Sequence, residues 1–98
     1  MKKTYPLVHP KIKPARLVDS IRAEVNKYLR RERKKVLPDG FDYWDFDCKV
    51  GSSAETAQVE HVSAVSKAIG KVEEAGHAYV YLEVVAKPAK RQPRQSAD

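Results

Sequence analysis

The sequence predicts a two-layer α+β sandwich of order βαββαβ, the ferredoxin-like pattern with two helices on one face of an antiparallel sheet. Three observations predict it. Residues 15–36 repeat apolar side chains at spacings of three and four, whereas 41–50 and 78–86 alternate apolar with polar. The chain has 98 residues, 42% of them apolar. That suits a single domain with one core, and it excludes both a multi-domain enzyme and a fully disordered chain.

The elements follow in order. Residues 2–8 (KKTYPLV) read as a short strand, which Pro6 confines to an edge or leaves irregular. Pro10 to Pro14 is a breaker-rich linker. Pro14 then suits an early helical position, where its missing N–H would be unpaired anyway. Through 15–36, Leu17, Ile21, Val25, Tyr28, Leu29 and Val36 form the apolar stripe of an amphipathic helix, with Val18 alongside. Pro38 and Gly40 end it. In 41–50, Trp44, Phe46, Cys48 and Val50 share one strand face, and Tyr43, Asp45, Asp47 and Lys49 share the other.

Residues 56–76 fit two patterns. The favoured reading is a strand near 56–62, then a helix near 63–75 with Ser63 as N-cap and Gly76 just past its end. The alternative is one helix over about 54–75, giving a three-stranded βαβαβ layer. In 78–86, Val80, Leu82 and Val84 face the core and Tyr79, Tyr81 and Glu83 face out. The domain is expected over 1–87, with 88–98 a disordered basic tail.

Nineteen Lys and Arg oppose thirteen Asp and Glu, for a net charge of +6. The imbalance is local. Residues 11–36 hold ten basic residues against three acidic ones, while 37–60 hold six acidic residues against Lys49 alone. At about 100° per residue, Arg16, Lys27, Arg30 and Lys34 line up opposite the apolar stripe, flanked by Arg22, Arg31 and Arg33. Lys27–Arg31 and Arg30–Lys34 are like charges four apart, each costing roughly 0.2–0.5 kcal/mol. A ridge of this kind suits phosphates, which Lys and Arg neutralise with release of counterions. The expected partner is RNA or DNA, bound without sequence preference. The competing reading is a solvated face that keeps a small protein soluble.

The outward sheet residues Tyr43, Tyr79 and Tyr81 suggest a second surface, for another protein or a second copy of the chain. Among them stand Asp45, Asp47 and Glu83, which would repel phosphate, and no RNA-recognition signature accompanies them. Nucleic acid is therefore expected on the helix side.

Catalytic signals are sparse, and no catalytic residue, metal or cofactor is assigned. Asp45 and Asp47 lie two apart on one strand face, as paired carboxylates for Mg²⁺ would. Pro38-Asp39 followed by Asp47-Cys48-Lys49 even resembles a short metal-nuclease pattern. An exposed polar strand face explains the same residues. His9, His61 and His77 lack zinc spacing, and His61 is expected to pack beside the sheet. Cys48 reads as a small buried hydrophobe, unable to form an internal disulfide alone. No apolar run is long enough for a secretory leader or a membrane span, so a cytoplasmic protein without a membrane partner is expected.

Several strings are distinctive: Met1-Lys-Lys-Thr-Tyr-Pro-Leu7, His9-Pro10, Arg30 to Lys35, Trp44-Asp-Phe-Asp-Cys-Lys49, and Tyr81-x-Glu83 with Ala86-Lys87-Pro88. Over most of residues 1–88 the chain resembles a family of small bacterial proteins catalogued as a domain of unknown function. The resemblance implies one bacterial, cytoplasmic domain and brings no site residues with it.

Overall fold

The computed structural model describes residues 1–91. Its elements are β1 (Lys2–Pro6), α1 (Pro14–Arg33), β2 (Tyr43–Gly51), β3 (Gln58–Glu60), a 3₁₀ turn (Val62–Ala64), α2 (Val65–Glu74) and β4 (Tyr79–Ala89). This is the expected α+β order, with the stretch after residue 56 split into strand and helix. The single-helix alternative does not occur.

All four strands are antiparallel neighbours, in the order β1-β4-β2-β3. The two longest alternating strands thus sit in the middle, and the Pro-containing β1 and three-residue β3 take the edges. A ferredoxin-like sheet centres its first and third strands, so the likeness stops at element order and layering. Local alternation assigns faces to a strand but not neighbours.

Both helices lie on one face of the sheet, and the apolar parities meet there. Val18, Ile21, Val25 and Leu29 of α1 and Val65, Ala68 and Ile69 of α2 pack with Phe46, Cys48, Val50, Val80, Leu82 and Val84. Tyr5 of β1 and Leu7 just past its end join them. The other sheet face is open to solvent, as an antiparallel sheet permits.

Three boundaries differ from expectation. α1 stops at Arg33, three residues early, so Val36 falls outside the helix and is 93% exposed. Pro38 disfavours helical backbone just ahead of it. The N–H groups of Lys34 and Lys35 turn back to Arg31 and Glu32, and Trp44 Nε1 donates to Lys35 O at 2.9 Å. Ser63 is not the cap of α2. His61 stands out in solvent, where its Nδ1 accepts the Ser63 N–H at 3.1 Å and caps the 3₁₀ turn instead. At the other end Gly76 behaves as expected: its φ is +82°, and its N–H and that of His77 reach Glu73 and Val72.

Lastly, β4 runs on through Pro88 and Ala89, which pair with Trp44 and Tyr43, so the strand enters the expected tail. In β4 the even residues aim their N–H groups toward β1, as Val84 does to Met1 O. β1 ends opposite Val84, so Pro88 faces an empty edge and its missing donor costs nothing. Residues 92–98 lie outside the described residues.

Gly51 closes the β2–β3 hairpin. A Cβ there would stand 2.5 Å from Ala57 Cα, closer than real contacts allow.

Candidate nucleic-acid interface

The buried stripe of α1 turns the opposite side of the helix fully outward. Arg16, Lys27 and Arg30 lie on that side, and Lys34, the C-terminal cap residue, continues it. All four are exposed. From Arg16 to Lys34 the ridge runs about 27 Å at the helical rise. Among the described residues none of the four has a carboxylate within 4.0 Å: the ion pairs join Lys2 to Glu83, Lys3 to Glu24, Arg22 to Asp19, Lys35 to Glu32 and Lys87 to Asp47. Among the described residues, then, no carboxylate forms an ion pair with the ridge.

The flanking cations divide. Arg22 is turned inward along the seam with α2. Its Nε and Nη2 both donate to Ser66 O, at 3.1 and 2.9 Å, and Nη1 stands 3.7 Å from Asp19. Gly70 makes room for it, since a Cβ there would meet Arg22 Nη2 at 2.7 Å. Arg22 thus ties α1 to α2, with much of its donor capacity spent. Arg33 lies over the Phe46 ring at 5.3 Å, on the same side as Arg22. Arg31 lies on the opposite side, over Tyr28 at 5.4 Å.

Arg31 borders a second cationic cluster, not foreseen from sequence. A cavity of about 460 Å³ between β1 and α1 is lined by Met1, Lys3, Tyr5, Glu24, Lys27, Tyr28 and Arg31. Strand parity holds the missed signal: Lys3 shares the parity of Tyr5 and Leu7, so it points to the helix layer. Lys3 Nζ lies 4.8 Å from the Tyr5 ring centre and 3.8 Å from Glu24 Oε1. Burial, then the neighbouring Glu24 carboxylate, raises the Tyr5 phenol well above its ordinary pKa.

On the far side of α1 from the ridge, Glu32 occupies the buried stripe. Its Oε2 has no well-formed hydrogen bond among the described residues, yet Lys35 Nζ lies 2.6 Å away. The Lys35 ammonium holds the Glu32 carboxyl below the usual carboxylate range, with Tyr28 and Arg31 assisting.

The open sheet face carries the expected tyrosines. Tyr43 and Tyr79 are exposed; Tyr81 is half-buried, its phenol pKa raised by burial and by Glu83. Val59 and Val85 add exposed apolar surface. The carboxylates here are engaged. Asp47 pairs with Lys87 at 2.7 Å and raises that ammonium's pKa, and Asp45 Oδ1 accepts the Phe46 N–H at 2.8 Å. Among the described residues no three His, Cys, Asp or Glu are placed to hold a metal ion. Cys48 is buried, and burial with Asp47 and Asp45 nearby pushes its thiol up to about 11. That is far from an activated nucleophile. No described helix is long and apolar enough to cross a membrane.

Residues 1–95 match the family described as "Family of unknown function (DUF6172)", and the chain belongs to it. No curated protein and no solved structure matches the chain.

Proposed function

We propose that the protein is a small, non-enzymatic nucleic-acid-binding module that docks phosphates on the outward ridge of α1. One observation carries the reading: Arg16, Lys27, Arg30 and Lys34 present four exposed cations on one rigid face, none with a carboxylate within 4.0 Å among the described residues. A helix holding like charges together at an energetic cost gains most when an external polyanion relieves the repulsion. Base edges are not addressed, so RNA and DNA bind alike and salt weakens both. The working compartment would be the cytoplasm. An NMR shift map with a short oligonucleotide tests this. Shifts should follow Arg16, Lys27, Arg30 and Lys34 and spare Tyr43 and Tyr79. A map centred on the sheet, or no shifts at low salt, rejects it.

A second reading rests on the open sheet face. Tyr43, Tyr79, Val59 and Val85 are exposed there, and no element of the described chain covers them. Another protein, or a second copy, would dock there. Sedimentation across a wide concentration range distinguishes the two: a strict monomer removes self-association.

A further inference from the structure

We infer that the cavity between β1 and α1 is a receptor for a single phosphate group carried on a larger molecule, gripped by Lys3, Lys27 and Arg31. It shares only Lys27 with the ridge and does not depend on ridge binding.

Three features lead there. Three cations from two elements converge on one concavity, against the single carboxylate of Glu24. Two of them are held without using up their donors. The Arg31 guanidinium lies over the Tyr28 ring, and among the described residues its N–H groups enter no side-chain hydrogen bond or ion pair. Lys3 lies over Tyr5, and its partner Glu24 is 3.8 Å away on a half-exposed side chain, a loose pairing that a dianion can outcompete.

The third feature is on the cavity's wall. Tyr5 is only 8% exposed, and its hydroxyl, beside the Glu24 carboxylate, has no well-formed hydrogen bond among the described residues. A buried hydroxyl with an unspent donor is costly and uncommon. Glu24 is the adjacent acceptor. When phosphate draws Lys3 away, the carboxylate can turn to the Tyr5 hydroxyl, so neither group is stranded. At about 460 Å³ the space exceeds what one phosphate fills. The half-buried Tyr28 offers an apolar wall for the remainder of the ligand.

The probe is inorganic phosphate, titrated against the full chain by NMR beside sodium chloride of matched ionic strength. Saturable shifts should appear at Lys3, Tyr5, Tyr28 and Arg31 and not at Arg16, Arg30 or Lys34. Lys3→Ala and Arg31→Ala should each weaken phosphate about tenfold, as for a lost charge-assisted bond, whereas Arg30→Ala leaves it unchanged. Glu24→Gln should tighten it. All four positions are solvent-facing, and the spectrum itself reports whether each variant is folded. Shifts no larger than with chloride, shifts spread evenly along the ridge, or Glu24→Gln without effect each overturn the inference.

A short oligonucleotide lacking terminal phosphates separates the sources. If it shifts the cavity residues too, the phosphate belongs to a strand; if it shifts the ridge alone, the cavity takes a free phosphorylated compound. Both outcomes uphold the cavity once phosphate saturates it. An oligonucleotide that binds nowhere would reject the ridge reading and leave the cavity standing.

Discussion

The outward side of α1 and the open face of the sheet are both charged, exposed surfaces, on opposite sides of the same small core. They differ in pairing. Across the sheet, register sets opposite charges side by side: Lys2 meets Glu83, Lys87 meets Asp47, and Lys49 stands opposite Glu83. Along the helix, Arg16, Lys27, Arg30 and Lys34 form no such ion pair among the described residues. The sheet face solves its own electrostatics within the molecule, as cross-strand pairs do. The ridge leaves its electrostatics to solvent or to a partner. Where charges sit thus says less about function than whether the fold has matched them.

The contrast can be broken most severely by reversal. Replacing Arg16, Lys27, Arg30 and Lys34 together with Glu should lower polyanion affinity at least about a hundredfold at low salt, as fluorescence anisotropy would show. The same change should leave the helical circular-dichroism signal in place.

A sharper cut lies within the basic set. Arg22→Ala should destabilise the fold by about 1 kcal/mol, through lost bonds to Ser66 O, and barely alter polyanion affinity. Arg16→Ala should do the reverse. Urea titrations and anisotropy on both variants check the pair; equal behaviour would erase the distinction between tie and ridge.

On the sheet side, Asp45→Asn with Asp47→Asn should change polyanion affinity less than about twofold at physiological salt, because screening sets in beyond roughly 8 Å. A large gain would mean that phosphates approach the sheet.

Acidification probes the buried carboxylate of Glu32. The folded pKa of Glu32 is depressed, so its pairing with Lys35 supports the fold above the ordinary value of 4.5 and is lost as pH falls through the lower folded value. Glu32→Gln should therefore be less stable than the parent at neutral pH, with the gap closing in acid. Melting curves at several pH values measure this. The buried Cys48, its pKa raised to about 11, should resist thiol reagents at pH 8 until the chain unfolds.

Much of the fold was legible because its main elements are strongly periodic. Val18 to Leu29, Trp44 to Val50 and Val80 to Val84 each follow one period, and the core uses those parities. Pro14 and Gly76 mark helix ends for local backbone reasons. What could not be read depends on neighbours distant in sequence. The place of β1 beside β4 follows from sheet assembly. The early stop of α1 involves Trp44 reaching Lys35 O. The inward role of Arg22 requires knowing that Gly70 opens a gap against it. The candidate ridge was legible as a helical stripe, but its lack of ion pairs among the described residues was not, since pairing is a property of the assembled surface.

Salt dependence of affinity tests that unmatched surface most directly. With a duplex of arbitrary sequence, the logarithm of the association constant should fall linearly with the logarithm of salt concentration. The slope should be about −3.6, near −0.9 for each of four phosphate contacts, and should flatten by about 0.9 with each ridge cation removed. A flat line, or no association at about 50 mM salt where such contacts are strongest, would contradict the ridge as a polyanion surface.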